Sequence, residues 1–578
     1  MTIDDDDDDD DDDDYDDGGR MRPKKRKSRW GKVNDGTGDD AREADARTDG
    51  DGRESKPDLT DGTIIRVDGR QHPVDVMYVN EPVSDYVKSA VEVALRILEE
   101  GDCDGDGDGG DILCFLATGE EIDAAVRMAE DAMSSSAAAA ATSSTGDKKG
   151  GRRRRRRGAD ASCLPLYSSL PARVQSQVFL PRSADEIREG KRRIIFATNV
   201  AEASVTVPDI AHVIDCGYAK MPFFDPLSGF ERLVVCPISR ASANQRAGRA
   251  GRVRPGRCYR LYSEPDYDKV LAAETAPEIQ RCELTTLIMT IKALGVKNIL
   301  SFDLMSIPTV EALFHGLETL HALGALDESA ELTALGTEMV YFPTDVRTSR
   351  MLLASLDMED REDTPSMVSK LIVGDVLTVA AALQVRDIFH QPRTERKWRS
   401  YDDAIADVLD RSGDHVTYVH LFDLVDHSGR MLSEDECRDR FVNRASLARA
   451  LDVRDQLARF LGRRFGGGGS RWFGAKRREI VGSRTYDPDE RSEAILRCVA
   501  AGYFTNAARL GAGGRYYSLR GNYAVSVSPS SVLHRYGESS EYILFGRTYD
   551  GSRGGVDARP CSSVNGLWLR QLAPHYWT

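Results

Sequence analysis

The strongest chemical signal in the chain is the stretch Gln245-Arg246-Ala247-Gly248-Arg249-Ala250-Gly251-Arg252. Its arginines recur at i, i+3 and i+6, with only Ala and Gly between them and a Gln ahead. On a helix this spacing lines the guanidiniums along one face. Guanidinium forks are planar and permanently charged, and with no carboxylate beside them they suit bidentate contact with phosphate. The small residues between them allow another backbone or a ligand to come close. An arginine run taken alone is equally the solvated face of a basic helix, so its meaning depends on its surroundings.

Short apolar strands alternating with helices surround it. Ile64–Val67 and Val74–Val79 alternate like half-buried strands, and 85–100 has helical spacing of Val87, Val91, Ala94, Leu95 and Leu98. A strand is expected at 112–116, a helix at 120–133, a strand at 164–166 and a helix near 174–179. Further strands are expected at 193–198 and 211–215. This alternation predicts a doubly wound α/β domain around a parallel sheet. Ligand-contacting loops of such a sheet lie beyond the carboxyl ends of its strands, where Thr198-Asn199 and Asp215-Cys216-Gly217 fall.

With 578 residues the chain is long enough for several domains. Of its formal charge of −16, thirteen units are the Asp residues between Asp4 and Asp17, leaving −3 for the remainder. The acidic balance therefore does not argue against nucleic-acid binding by the folded part. The ten cysteines contain no C-x-x-C pair, which weighs against a zinc site or a disulfide framework and fits a reducing compartment. No apolar run approaches membrane-spanning length, and the N-terminus is polyacidic where a signal peptide would be basic and then apolar. Residues 1–61 have too few apolar side chains to offset ordering entropy and are expected to be disordered. Within them Arg22–Lys27 is a basic cluster of the nuclear-import type. The segment 134–160, Ser/Ala-rich and then Arg-rich through Arg152–Arg157, reads as a low-complexity insertion.

Several separate motifs then occur in one order. They are Leu166-Tyr167-Ser168-Ser169-Leu170-Pro171, Ala197-Thr198-Asn199-Val200-Ala201-Glu202-Ala203-Ser204-Val205-Thr206, Asp215–Lys220, and Pro237–Asn244 running into the arginine stretch and Pro255–Tyr262. Together they resemble the second lobe of a DEAH-box RNA helicase, of the spliceosome-associated type. The resemblance covers roughly 62–578. It implies a RecA-like (P-loop NTPase type) lobe at 62–263, a winged helix at 264–333, a helical ratchet domain at 334–465, a linker at 466–490 and an OB-fold β-barrel at 491–578.

The implied activity is ATP hydrolysis coupled to movement along single-stranded RNA or pre-mRNA, with Mg2+ held mainly by a first lobe. Spliceosomal proteins, a G-patch activator and a nuclear location are the implied context. By resemblance Arg249 and Arg252 are arginine fingers, Gln245 orders the attacking water, and Arg246 lies outside the pattern as a structural residue. Phe179 matches a ring that stacks on adenine, against the plain reading of a core Phe at a helix end. Ser204 matches a nucleotide-sensing serine, and Thr198, Asn199 and Thr206 match contacts to the RNA backbone. Turn and cap chemistry would equally suit Thr198, Asn199 and Ser204. Residues 221–237 read as a β-hairpin, which the resemblance sets against the 5′ end of bound RNA. In the barrel Tyr516, Tyr517 and Arg520 are candidates for stacking and phosphate contact, with core packing expected for at least one tyrosine. His415 reads as a cap or core histidine.

The sequence also departs from the family. It contains no G-x-x-x-x-G-K-[ST] and no D-E-A-H, so the first lobe is expected to be missing apart from what resemble its final strands at Thr63–Val79. Phe115-Leu116-Ala117-Thr118-Gly119-Glu120-Glu121 stands where F-L-T-G-Q-E-E is usual. Two functional expectations follow: the C-terminal portion of an ATP-driven RNA helicase, or a catalytically inactive RNA- or protein-binding scaffold derived from one. For these 578 residues alone no RNA-stimulated ATPase activity is expected.

Overall fold

The computed structural model describes residues 30–32, 72–81, 83–100, 110–142, 161–168, 170, 172–189, 191–202, 206–359, 366–385, 387–392, 395–466, 472–473, 487–536, 540–550 and 555–576. The rest of the acidic tail, the basic cluster at Arg22–Lys27, the arginine run at Arg152–Arg157, the strand expected at Ile64–Val67 and Ser204 lie outside the described residues. The chain forms two compact units, one of residues 1–220 and 235–275, the other of 221–234 and 276–578.

The first unit is built on β1 (Trp30–Lys32), β2 (Val74–Val79), α1 (Tyr86–Glu100), β3 (Asp111–Phe115), α2 (Gly119–Thr142), β4 (Ala161–Leu166), α3 (Ala172–Phe179), α4 (Ala184–Glu189), β5 (Arg192–Ala197), β6 (Ile210–Asp215), α5 (Arg240–Ala247) and β9 (Gly256–Arg260). Between β6 and α5 the chain forms a hairpin, β7 (Tyr218–Asp225) and β8 (Phe230–Pro237), whose residues 221–234 belong to the second unit. Seven strands make one sheet in the order β1-β2-β9-β6-β3-β5-β4. It is parallel except for β1, which pairs antiparallel with β2 from inside the stretch expected to be disordered. β3, β5 and β6 are buried at every position, as expected of central parallel strands covered on both faces. On one face Ala90, Val91, Ala94, Ile97 and Leu98 of α1 pack with Ile112 and Cys114; on the other Leu113, Ile195 and Val213 meet Ala247 and Ala250.

Two expectations change here. Val74–Val79 is not a remnant of a first lobe: Val74 to Tyr78 pair in register with Gly256 to Arg260, so β2 belongs to this sheet. The low-complexity insertion does not begin at 134, because α2 continues to Thr142. Alanine is the best helix former, and the Ser135 and Ser136 hydroxyls bond back to the carbonyls of Asp131 and Ala132 at 2.8 and 2.9 Å.

The second unit is helical before it is β. The helix expected across 277–294 is a 3-10 turn, Glu278–Gln280, followed by Thr285–Ala293. The helix Ser366–Leu383, apolar nearly all round, lies at the centre with Val346–Glu359, Asp414–Ser428, Arg444–Arg464 and Pro488–Tyr503 about it. Arg491, buried there, donates to Asp375 at 2.6 and 2.7 Å and to Asp423 at 2.8 Å. β10 (Ala507–Leu510), β11 (Tyr516–Ser518), β12 (Ala524–Val527), β13 (Tyr542–Asp550) and β14 (Val556–Val564) close into a barrel in the order β10-β11-β12-β14-β13. Residues 221–234 of the hairpin are part of this unit, and the Phe230 ring lies 6.1 Å from those of both Tyr523 and Phe545 in the barrel core.

Candidate functional site

The arginine stretch is not one helical face. Ser239 caps α5 by accepting the Ser242 N–H at 3.1 Å, and the helix ends at Ala247. Residues 248–253 form successive turns, so Arg249 and Arg252 stand on an exit turn while Arg246 stands on the helix. Gly251 is required by the chain's own packing and not by a ligand. A Cβ there would lie 2.6 Å from Val74 Cγ2 and 2.8 Å from the His72 carbonyl oxygen.

Arg246 is wholly buried and ties the carboxyl-end loops of three strands to α5. Its Nε donates to Glu202 Oε2 at 3.0 Å, its Nη1 to Asp215 Oδ1 at 2.8 Å, and both terminal nitrogens to the Tyr218 carbonyl at 3.2 Å. Its guanidinium lies 4.8 Å from the centre of the Phe115 ring. Burial opposes its charge, but Asp215 and the other nearby anionic groups outweigh that and raise its pKa further. Asp215 also accepts the Gly217 N–H and the Tyr262 hydroxyl, each at 3.0 Å. Gly217 has φ +81°, and a Cβ there would meet Tyr262 at 2.6 Å.

Arg249 and Arg252 are part-exposed. The Arg249 Nη2 donates to the Glu202 carbonyl, and the Arg252 Nη1 to the Thr206 hydroxyl at 2.9 Å. Burial, and then the neighbouring Arg252, lower the Arg249 pKa while Glu202 opposes the shift; a guanidinium remains charged across the physiological range. Gln245 is exposed at the end of α5. Cys216 and Cys258 supply no thiolate chemistry, since burial pushes both thiols up to about 12.

Phe179 is 36% exposed at the end of α3, so the core reading fails; Val178 beside it takes the buried position. Thr198 heads a 3-10 turn, Asn199–Ala201, without a side-chain cap bond, so cap chemistry does not account for its hydroxyl. Asn199 is exposed next to it, and its carbonyl accepts the Glu202 N–H at 3.0 Å. Thr206, expected to touch RNA, is the partner of Arg252. In the departing motif after β3, Glu121 accepts the Ala117 and Thr118 N–H groups at 3.0 and 3.3 Å and the Tyr86 hydroxyl at 2.8 Å.

The barrel candidates are committed within their own unit. The Tyr516 hydroxyl donates to the Ser540 carbonyl at 2.9 Å and its ring packs on the barrel core. Arg520 pairs with Glu318 and lies 5.7 Å from the centre of the Tyr576 ring. His415 is buried, with Nδ1 2.8 Å from the Ser562 hydroxyl, in keeping with a core histidine. Sequence reasoning missed Glu202 and the ligation of Arg246; the available signal was the place of Glu202 just beyond a strand and its 3-10 turn.

Arg249 and Arg252 thus present part-exposed guanidiniums on the turn beyond α5, and Phe179 presents an exposed ring at the end of α3. Among the described residues no group of three or more His, Cys, Asp or Glu is arranged to hold a metal ion, and no helix is long and apolar enough to cross a membrane.

Comparison with known proteins gives the same arrangement. Residues 107–254 match the helicase conserved C-terminal domain, 316–344 the winged-helix part and 345–418 the ratchet-like part of the helicase associated domain HA2, and 495–576 an oligonucleotide/oligosaccharide-binding (OB) fold. The chain is 35% identical over 525 residues to the human "Probable ATP-dependent RNA helicase DHX35", covering 89% of this chain and 64% of that protein. The Caenorhabditis elegans homolog is 34% identical over 520 residues, at 89% and 61% coverage. The Schizosaccharomyces pombe "Pre-mRNA-splicing factor ATP-dependent RNA helicase prp22" is 32% identical over 516 residues, at 89% and 38%. The chain thus spans less than two thirds of the length of these relatives. The crystal structure of the E. coli DExH-box NTPase HrpB shares the fold, with a TM-score of 0.55 and 23% identity, covering 88% of this chain and 48% of that one.

Proposed function

Because the chain belongs to the DEAH-box RNA helicases and corresponds to their C-terminal portion, we propose that it supplies half of an ATPase site. That site drives movement along single-stranded RNA and remodelling of RNA–protein complexes. The observation that carries this is the placing of Arg249 and Arg252 on a part-exposed turn directly beyond α5. ATP supplies the phosphoryl group that is transferred to water, and Mg2+ belongs to the opposite half of the site. Arg249 and Arg252 stabilise charge on the transferring phosphoryl oxygens, and Gln245 orders the attacking water. Phe179 and Ser204 are assigned to nucleotide binding; Thr198 and Asn199 hold RNA by its backbone without reading bases. Thr206 keeps its proposed RNA role only when Arg252 releases it. Tyr516 and Arg520 contribute to RNA contact at the barrel rim.

A splicing role and a nuclear location are supported by the printed name of the fission-yeast relative and by the basic cluster at Arg22–Lys27. Spliceosomal proteins and a glycine-rich G-patch activator are the proposed partners. The inactive-scaffold reading rests on the lack of both phosphate-cradle and D-E-A-H motifs in these 578 residues. RNA-stimulated ATP turnover separates the two. In a protein joining this portion to a phosphate-cradling lobe, Arg249→Ala is expected to lower turnover about 10³-fold or more while RNA affinity holds. Turnover by these 578 residues alone, abolished by Arg249→Ala, would refute the half-site reading.

A further inference from the structure

Glu202 grips the finger segment three times. Its Oε1 accepts from the Ser242 hydroxyl and its Oε2 from Arg246 Nε at 3.0 Å, both on α5, while its carbonyl accepts from Arg249. It sits directly after the 3-10 turn that carries Asn199, to whose carbonyl its own N–H donates. Only 9% of Glu202 is exposed, so these bonds form where water competes weakly. A carboxylate held on both oxygens and followed through its own main chain has little freedom to move separately from the helix it grips. In the turn beyond α5 the Gly248, Arg249 and Ala250 N–H groups bond to the Asn244, Arg246 and Ala247 carbonyls at 2.9, 3.1 and 3.1 Å.

We infer that Glu202 is the positioning residue for the arginine fingers: its carboxylate fixes α5, its carbonyl holds the Arg249 guanidinium, and it links the fingers to the Thr198–Asn199 loop. This rests on the reading of Arg249 and Arg252 as fingers. Its test needs no nucleotide, so failure of one claim leaves the other standing. The measurement is amide hydrogen exchange of the 578-residue chain, read in fragments spanning 245–254 and in β3. In Glu202→Ala the Gly248, Arg249 and Ala250 amides are expected to exchange about tenfold faster or more, with β3 unchanged. Glu202→Gln should restore much of the protection, because its amide oxygen can still accept from Arg246 Nε. Unchanged exchange at 248–250, or an equal rise in β3, overturns the proposal, the second by assigning Glu202 to the general stability of the lobe. If Glu202→Ala does not fold, Ser242→Ala removes one grip alone. It is then expected to speed the same amides about threefold and leave β3 unchanged; no acceleration overturns the proposal.

Discussion

The arginines buried at the two ends of the parallel sheet and the part-exposed arginines on the turn beyond α5 are used differently. At the amino ends of the strands Asp111 accepts the Arg193 N–H at 3.0 Å and its Nε at 2.7 Å. Arg192 donates to the carbonyls of Gly110 and Ile97 at 2.6 and 3.3 Å, and Arg254 pairs with Asp209. These guanidiniums are spent on the chain's own backbone and carboxylates. At the carboxyl ends Arg246 and Arg260 are buried and likewise engaged by groups of the chain itself, whereas Arg249 and Arg252, on the turn beyond α5, are part-exposed and donate to a carbonyl and a hydroxyl. A buried ion pair with its hydrogen bonds made holds a fold together, whereas a part-exposed cation bonded to neutral acceptors can exchange one of them for a phosphate.

Substitutions should separate the buried sites from the part-exposed ones. Arg246→Leu leaves Glu202 and Asp215 buried without their cation, and roughly 3–5 kcal/mol of stability is expected to be lost by denaturant unfolding. A loss under about 1 kcal/mol would put Arg246 on the exposed side of the comparison. Asp111→Asn keeps the shape but removes the charge that Arg193 faces, and about 2–3 kcal/mol is expected on the same measurement. Thr206→Ala removes a single bond at an exposed position and should change unfolding by less than about 1 kcal/mol.

A smaller effect concerns the second unit, where adjacent buried groups shift in opposite directions. Burial raises Asp414 to about 6 and lowers His415 to about 4. The Asp414 contribution is present at low pH and is lost as pH rises toward about 6. The His415 contribution is present above its unfolded value near 6.5 and is lost as pH falls toward about 4. The two largely offset each other between those values. His415→Asn removes the loss on the acid side, so its melting temperature minus that of the parent should become more positive as pH falls from 6.5 to 4. A constant difference would contradict the assignment. The smallest effect is expected for Arg520→Ala, which should weaken RNA binding less than about threefold, because its guanidinium is already engaged by Glu318. A loss of tenfold or more would restore it as a principal contact.

Much of the first unit's layout was legible because strand and helix periods differ, and because short apolar runs between them mark buried strands. The finger residues were legible as motif residues, but their environment was not. Arg246, Arg249 and Arg252 look alike in sequence. Only tertiary partners 44 and 31 residues away, Glu202 and Asp215, draw the first of them into the core. The helix end at Ala247 was signalled by Gly248 and Gly251, which the expectation of a continuous face passed over. In the barrel, the inward or outward role of Tyr516 depends on closure of five strands, and its hydroxyl finds Ser540 only once β13 has come alongside β10. The Ala-rich run to Thr142 was read as loop from its composition, although composition of that kind also propagates a helix already nucleated.

The difference between the buried and the part-exposed sites is tested most directly by placing Arg249→Ala and Asp111→Asn in one protein that joins this portion to a phosphate-cradling lobe. RNA-stimulated ATP turnover per folded molecule and the unfolding midpoint would be measured for each. Arg249→Ala should lose about 10³-fold or more in turnover at an unchanged midpoint, and Asp111→Asn should lower the midpoint at unchanged turnover. Arg249→Ala with full turnover, or with a midpoint lowered as far as that of Asp111→Asn, would contradict the account.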